Sequence, residues 1–286
     1  MDQGRGGEGG GPSGLAGDLV VDSKEHPMPK ALIVEDEPQA NELLSMLVQL
    51  RGYQTDSAFT GGEALAKADR ARPDIVFLDL MLPDINGYDV CRALKGSRET
   101  TAIPVVMVTA RYAEENRLQG FRAGATDYIS KPYTPDQIFG AMAEADSWAR
   151  GHAERQFAGE IAVDARDEVA HLRQITRLWS LLLERSRLPE EDARAIDEFL
   201  VEFATRALER GSKDGVGRLA TIAYRLDPGE ITLSLLDGPG GWSSADSASW
   251  PGNLGGLIAQ AGFEEVRREA SEGRIVLVRR PAPGGT

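Results

Sequence analysis

The chain has 286 residues, which is enough for two ordinary domains. It carries 32 Lys and Arg against 45 Asp and Glu, and a net charge of −13 argues against a protein that holds nucleic acid on a broad basic surface. One cysteine excludes a disulfide framework, and three scattered histidines disfavour a histidine-based metal site or catalytic triad. No apolar run approaches the roughly 20 residues that span a membrane, and no secretory signal pattern is visible. We therefore expect a soluble, cytoplasmic protein with no membrane partner.

The first half of the chain begins with a tail and continues with a regular alternation of elements. Residues 1–28 are rich in glycine and lack aromatic residues, which predicts a disordered tail. Short apolar runs then predict strands at residues 31–34, 53–58, 74–78, 103–108 and 126–129, and amphipathic segments predict helices at 38–50, 61–70, 87–95, 114–122 and 135–148. Because such alternation is typical of a parallel sheet covered by helices on both faces, we predict an α/β, flavodoxin-like (βα)5 domain over residues 29–149.

Charged and hydroxyl side chains stand where four of these strands end. Glu35 and Asp36 follow the first strand, Asp79 follows the third, Thr109 ends the fourth, and Lys131 follows the fifth. In a parallel sheet, ligands bind outside the carboxyl ends of the strands, so we expect these side chains to meet. Three clustered carboxylates repel one another, and Mg²⁺ is the cation that such oxygen ligands suit. With a lysine and a threonine opposite, the set predicts transfer of a phosphoryl group onto a carboxylate.

Residues 30–149 resemble the receiver domain of two-component response regulators. The resemblance is carried by Glu35-Asp36, by the segment DLMLPDING over residues 79–87, by Thr109-Ala110, by Tyr128 and by Lys131-Pro132. It implies that Asp79 accepts a phosphoryl group from a histidine kinase or a phosphotransfer protein. It also implies that Mg²⁺ is held by Asp36, Asp79 and the backbone carbonyl of Met81, with Glu35 assisting.

The resemblance also implies a switch. Thr109 and Lys131 would contact the phosphoryl oxygens, and Tyr128 occupies the family's aromatic switch position. Phosphorylation adds about −1.5 to −2 charges and three strong acceptors, which would draw Thr109 inward. Tyr128 could then turn into the vacated space and change the face formed by the fourth helix, fifth strand and fifth helix.

The second half predicts a different architecture. Residues 150–164 are polar and predict a linker or a helix extension. Helical patterns follow at about 164–188 and 190–210, strand patterns at 218–226 and 230–236 predict a β-hairpin, and a helix at 254–261 precedes a strand at 274–280. This order predicts a smaller α+β domain with a mostly antiparallel sheet over residues 165–286. The apolar stripe of the first helix fits core packing better than a dimerising coiled segment, although a homodimer stays open.

Residues 165–286 weakly resemble the ATP-binding domain of histidine kinases and anti-sigma serine kinases. The cues are Glu202 on a long helix, a turn with Asp237 and Gly240, and Gly255 at a helix start. Arg206 falls where the family has its magnesium-binding asparagine, and the turn is one residue short. Since a guanidinium opposes Mg²⁺, the resemblance implies a degenerate relative that does not bind Mg-ATP.

These features together predict a response regulator that controls a C-terminal protein-interaction module with an unidentified protein target. Beyond phosphoryl transfer to and from its own receiver, we expect no enzyme activity; the alternative is a receiver-gated protein kinase. We expect no DNA partner, because no helix-turn-helix pattern with a basic recognition helix is visible and residues from Asp164 onward carry 16 Lys and Arg against 20 Asp and Glu, net −4.

Overall fold

The computed structural model describes residues 28–110, 114–153, 158–164, 168–186, 188–214, 219–227, 230–236, 254–269 and 274–280. Apart from Met28, the tail predicted for residues 1–28 lies outside this part of the chain. None of the described helices is long and apolar enough to cross a membrane.

The first sheet is parallel and has the strand order β2-β1-β3-β4-β5. Its strands are β1 (Lys30–Val34), β2 (Gln54–Ala58), β3 (Ile75–Leu78), β4 (Val105–Thr109) and β5 (Asp127–Ser130). The helices between and after them are α1 (Pro38–Gln49), α2 (Gly61–Ala71), α3 (Gly87–Gly96), α4 (Glu114–Arg122) and α5 (Pro135–Ala153). The predicted flavodoxin-like arrangement is therefore confirmed.

The sheet lies between two apolar cores because its central strands are buried on both faces. All four residues of β3 and all five of β4 are buried, as expected for strands covered by helices on both sides. One core contains Leu32, Val76 and Met107, and the other contains Ile33, Phe77 and Val106. Alternate side chains of the same strands thus point into opposite cores, and the strand ends are left as the polar edges.

The second sheet is antiparallel and has the order β6-β7-β8-β10-β9. Its strands are β6 (Ala158–Asp164), β7 (Leu219–Asp227), β8 (Glu230–Leu236), β9 (Glu265–Glu269) and β10 (Arg274–Arg279), and its helices are α6 (Glu168–Arg185), α7 (Glu190–Asp214) and α8 (Leu254–Gln260). The predicted hairpin is β7–β8, which pairs from Thr221↔Leu236 to Asp227↔Glu230. The expected α+β region with an antiparallel sheet is confirmed.

Two strands of this sheet correct the sequence analysis. Within residues 150–164, α5 extends to Ala153, which agrees with the helix extension given as an alternative. The linker prediction was wrong for residues 158–164, because they form β6, which pairs with β7 from Ala158↔Arg225 to Asp164↔Leu219. Strand β6 contributes only Ile161 and Val163 to the core, which is too weak an apolar pattern to recognise. Strand β9 was also missed, because its sequence EVRRE is mostly charged, as suits the edge of a sheet.

Helices α6 and α7 pack as core helices. The buried residues of α6 include Ile175, Leu178 and Leu182, and those of α7 include Phe199 and Phe203. The Phe199 ring also meets the Phe263 ring edge to face, at 5.9 Å between centroids. The core interpretation of the apolar stripe thus agrees with the structure, whereas a homodimer stays a prediction.

Helix α6 also joins the second region to the first. The Trp179 indole N–H donates to the Lys95 carbonyl at 2.8 Å, and the Ser180 hydroxyl donates to the Thr101 carbonyl at 3.0 Å. Nearer the start of the helix, Arg173 donates to Asp127 at 2.6 Å. These partners lie where α3 ends and where β4 and β5 begin. The second region is therefore attached at the edge of the first sheet formed by the amino ends of these strands, opposite the carboxyl ends.

Candidate functional site

Three carboxylates meet at the carboxyl edge of the first sheet. Glu35 and Asp36 follow β1, and Asp79 follows β3 beside it; one oxygen from each lies within 4.8 Å of the other two. Glu35 and Asp79 are buried, whereas Asp36 is exposed. The structure therefore brings together the three acids that the sequence indicated, with one side open to solvent.

Lys131 stands opposite these acids. Its Nζ lies 2.5 Å from Glu35 Oε2 and 2.6 Å from Asp79 Oδ2, so one ammonium group bridges both buried carboxylates. The backbone fixes this position, because the Lys131 N–H donates to the Thr109 carbonyl at 2.8 Å as β5 ends. The bridge partly offsets the repulsion between the two acids and holds Asp79 in one orientation.

The pKa shifts in this cluster show that Lys131 does not fully offset the effects of burial and of carboxylate repulsion on Glu35. Burial raises the pKa of Glu35, and Lys131 opposes that rise, while the charges of Asp79 and Asp36 add to it. Burial by itself would lower the pKa of Lys131, but its hydrogen bonds and charge interactions with Asp79 and Glu35 raise it overall. Lys131 therefore stays an ammonium group, while the cluster still disfavours a full set of carboxylate charges.

The loop after β3 folds back on Asp79. The Met81 N–H donates to Asp79 Oδ1 at 3.2 Å, and the Gly87 N–H donates to the Leu80 carbonyl at 3.0 Å. A Cβ at Gly87 would lie 2.3 Å from the Asp79 carbonyl oxygen, so only glycine permits this approach. The loop thus places the backbone of Met81 next to the Asp79 side chain.

The two predicted switch residues lie on neighbouring strands. Thr109 is fully buried at the end of β4, where it is in register with Ser130. Tyr128 is half-buried on β5 opposite Met107, and it packs at Gly120 of α4: a Cβ there would lie 3.1 Å from the Tyr128 ring. Tyr128 is therefore in contact with the helix whose position it was expected to control.

The donor set fits magnesium. All three acids offer carboxylate oxygens, and the exposed side of Asp36 leaves room for the waters that Mg²⁺ retains. A divalent cation among these oxygens would also relieve the repulsion from Asp79 and Asp36, which adds to the rise that burial causes in the pKa of Glu35. The site can thus hold a divalent cation and a phosphoryl group beside the same carboxylate.

Sequence reasoning missed two residues that support this edge. Asn41 is buried and donates to the carbonyls of Ile33 and Glu35, both at 3.3 Å. Asp84 accepts hydrogen bonds from the first residues of α2. Asn41 could have been found from the sequence, because it is a polar residue on the buried face of a predicted amphipathic helix. Asp84 had no comparable signal, because its partners lie more than 20 residues away.

The candidate nucleotide site of the second region lies only partly within the described residues. Glu202 is half-buried on α7 and Gly255 is exposed on α8. Arg206 lies within α7, and Asp237 and Gly240 fall outside the described residues. The described residues therefore do not test whether the five positions form a site, and this site stays a prediction.

Comparison with known proteins identifies the first domain. Residues 31–143 match the family described as "Response regulator receiver domain". Residues 31–143 are a response regulator receiver domain. The family match does not reach the second region, and the resemblance of that region to an ATPase domain is not shown.

Individual relatives align over the receiver domain's length. The transcriptional regulatory protein ResD of Bacillus subtilis is 44% identical over 109 residues, which are 38% of this chain and 44% of ResD. The DNA-binding dual master transcriptional regulator RpaA of Synechocystis is 38% identical over 111 residues, which are 39% of this chain and 46% of RpaA. The alignment thus spans less than half of each relative. A solved putative response regulator from Chloroflexus aurantiacus is 31% identical, with 42% of this chain and 98% of that chain covered and a TM-score of 0.41.

These relatives correct one expectation about partners. The prediction that DNA is not a partner was wrong, because the relatives include RpaA, which is named as DNA-binding, and ResD, which is named as a transcriptional regulator. The error lay in the use of net charge, because the summed charge of an acidic chain does not describe its local surface. Receiver domains of this kind therefore occur in DNA-binding regulators.

Proposed function

We propose that this protein is a two-component response regulator that accepts a phosphoryl group on Asp79 in a Mg²⁺-dependent reaction. The donor is a histidine kinase or a phosphotransfer protein. The observation that carries the proposal is the Lys131 bridge: one ammonium group holds Asp79 and Glu35 at 2.6 and 2.5 Å, beside the exposed Asp36. A buried carboxylate with a cation on one side and solvent access on the other suits a nucleophile toward phosphorus.

In this reaction, a carboxylate oxygen of Asp79 attacks the phosphorus of the donor. The bond between phosphorus and the donor's imidazole nitrogen breaks as the acyl phosphate bond forms, and the imidazole leaves with the electron pair of the broken bond. Lys131 donates to a phosphoryl oxygen as charge builds there, and the Thr109 hydroxyl donates to another. The Met81 N–H on Asp79 Oδ1 keeps the attacking carboxylate oriented.

The residues that would hold Mg²⁺ are Asp36, Asp79 and the Met81 carbonyl, with Glu35 assisting through water. When bound, the ion offsets the negative charge of the carboxylates and of the phosphoryl oxygens. Because few protein oxygens are offered, most ligands would stay water and the affinity would be weak before phosphorylation. Asp36 is the acid that faces solvent, so its side chain gives entry to the site.

The phosphoryl signal has a short path to the second region. Tyr128 packs at Gly120 of α4, and the residues next to these two, Asp127 and Phe121, both contact Arg173 of α6. The Arg173 guanidinium carbon lies 5.1 Å from the centre of the Phe121 ring. A movement of Tyr128 and α4 would therefore act directly on α6.

The second region serves as the output module in this proposal. We infer that it presents a protein-binding surface and that it has no kinase activity, since Arg206 replaces the metal-binding asparagine of the family it weakly resembles. Its position on α4 and β5 supports control by the receiver.

Control of transcription is a second candidate output. It is favoured by the names of the relatives, which include a DNA-binding regulator. Fluorescence anisotropy with genomic DNA fragments, with and without acetyl phosphate, tests it. Binding that strengthens on phosphorylation and weakens steeply with salt would favour this output over a protein target.

Incubation with acetyl phosphate tests the proposed function. Phosphate-affinity gels should show one slower band that needs Mg²⁺, that is absent from Asp79→Asn, and that persists in Asp74→Asn as a control at the opposite edge of the sheet. Equal labelling of wild type and Asp79→Asn would contradict the proposal.

A further inference from the structure

Asp84 joins the loop after β3 to the start of α2. Its Oδ1 accepts the Gly61 N–H at 2.7 Å, and its Oδ2 accepts the Gly62 N–H at 2.9 Å. Both carboxylate oxygens are therefore used, although the side chain is exposed. The contact is long-range, so it fixes the relative position of two separate segments.

The start of α2 is built to receive this carboxylate. The first N–H groups of a helix have no partner within the helix, and the helix dipole favours an anion there. Thr60 accepts the Glu63 N–H at 3.1 Å and leaves Gly61 and Gly62 to Asp84. These hydrogen bonds lower the pKa of Asp84, so it is a carboxylate at neutral pH.

Glycine at position 61 lets the two segments approach. A Cβ on Gly61 would lie 2.8 Å from Val90 Cγ2 and 2.9 Å from Ile85 Cβ, both closer than packed atoms allow. The contact between Asp84 and α2 is therefore a close junction of backbone and side chain. A methyl group at position 61 would therefore push the two segments apart.

The loop that Asp84 anchors is the one that carries Met81. Its two ends are tied at the sheet edge by the Gly87 N–H on the Leu80 carbonyl, and the Met81 N–H binds Asp79 Oδ1. Asp84, later in the same loop, accepts the hydrogen bonds from Gly61 and Gly62 that attach the loop to α2. The backbone of Met81 is thus held between two anchors.

We propose that Asp84 is a positioning residue for the magnesium site, because it fixes the loop whose Met81 carbonyl serves as a ligand. This inference rests on the proposed function. Asp84 does not touch the acidic cluster, so it acts on the affinity for the ion and not on the phosphoryl transfer itself. Partners of this kind change metal affinity by about 10-fold or more when removed.

Mg²⁺ titration of the full chain tests the proposal with two readouts. The first is the rise in Tm of the unphosphorylated protein with Mg²⁺, which reports binding without any reaction. The second is the initial rate of labelling by acetyl phosphate as a function of Mg²⁺. Asp84→Ala should shift the midpoint of both titrations to about 10-fold higher Mg²⁺, while the labelling rate at saturating Mg²⁺ stays that of wild type.

Two further variants separate positioning from stability. Asp84→Asn keeps an oxygen acceptor without the charge, so its midpoints should lie between wild type and Asp84→Ala. Asp74→Ala is the matched control: Asp74 Oδ2 accepts the Lys30 N–H at 2.7 Å at the opposite edge of the sheet, and its loss should leave both midpoints unchanged.

The outcomes decide between the claims. The positioning role would be overturned if Asp84→Ala left both midpoints unchanged, whether or not its labelling rate at saturating Mg²⁺ fell. It would also be overturned if Asp74→Ala gave the same shift as Asp84→Ala. Should Asp84→Ala not fold, the comparison of Asp84→Asn with Asp74→Ala carries the same decision. A wild type that binds Mg²⁺ but is never labelled would instead count against the proposed function.

Discussion

The indole N–H of Trp179 donates to the backbone carbonyl of Lys95 at 2.8 Å, and this bond joins the second region to the receiver domain. Trp179 is almost fully buried, and Thr101 and Ser180 beside it are completely so. The junction is therefore packed like a protein interior and not like a flexible linker. The junction lies at the edge of the first sheet opposite Asp79, so its described contacts do not cover the acidic cluster.

A packed junction predicts that the two halves unfold together. Trp179→Phe keeps most of the packing but leaves the Lys95 carbonyl without this donor, which should cost about 1 kcal/mol. Trp179→Ala should cost about 3 to 5 kcal/mol. Calorimetry should show one transition that moves down in both variants. Two transitions, with that of the receiver unchanged in Trp179→Ala, would mean that the halves are independent.

Phosphorylation should alter the contact between α4 and α6. Hydrogen exchange measured by mass spectrometry should increase in peptides from Glu168–Arg185 when Mg²⁺ and beryllofluoride, an acyl-phosphate mimic, are added. The reason is that Arg173 contacts both Phe121 and Asp127, next to the switch position. Asp79→Asn should show no such change. Altered exchange in α4 with constant exchange in α6 would break the proposed path.

Lys131 should be required for fast phosphoryl transfer. Lys131→Ala removes the ammonium group that contacts Asp79 and the incoming phosphoryl oxygens, and we expect labelling by acetyl phosphate to slow about 100-fold. Lys67→Ala is the control, because Lys67 pairs with Asp56 at 2.9 Å away from the acidic cluster. A Lys131→Ala protein labelled at the wild-type rate would show that this cation is only structural.

Asp197 should make the free energy of unfolding fall as pH rises. It lines a groove of about 430 Å³ between the receiver and α6 and α7, where burial and then the charge of Glu198 raise its pKa to about 7. The charged side chains that share the groove are Arg92, Lys95, Arg122, Arg194 and Glu198. The folded state thus holds the Asp197 proton more tightly than the unfolded chain does, so stability falls as pH rises from the usual value of 3.8 to about 7.

The variant Asp197→Asn removes this titration. Its free energy of unfolding relative to wild type should increase from pH 4 to about pH 7 and level off at higher pH, as measured by urea denaturation. Glu191→Gln, which changes an exposed acid on the same helix, serves as the control variant. A pH-independent difference for Asp197→Asn would refute the assignment.

The sequence predicted the site better than it predicted the junction, for physical reasons. Glu35, Asp79 and Lys131 could be placed together because parallel strands bring their carboxyl ends to one edge. Asp84 could not be found this way, since its partners on α2 are defined only by the folded loop. Strand β6 was read as a linker because an edge strand with two core residues has little apolar pattern.

The contacts of α6 show the same limit. Its apolar stripe indicated burial but not the identity of the neighbour, because apolar residues specify no partner by themselves. The Arg173–Asp127 pair and the Trp179–Lys95 bond join residues that are 46 and 84 positions apart. Such pairs follow from the docked arrangement of the two regions, which no local pattern encodes.

Mapping of the phosphorylated residue tests the central claim most directly. After reaction with acetyl phosphate and Mg²⁺, borohydride reduces the acyl phosphate and converts the modified aspartate to homoserine, which peptide mass spectrometry locates. We predict homoserine at position 79 alone, with none in protein that was not exposed to acetyl phosphate. Homoserine at Asp36 or at another aspartate, with position 79 unmodified, would contradict it.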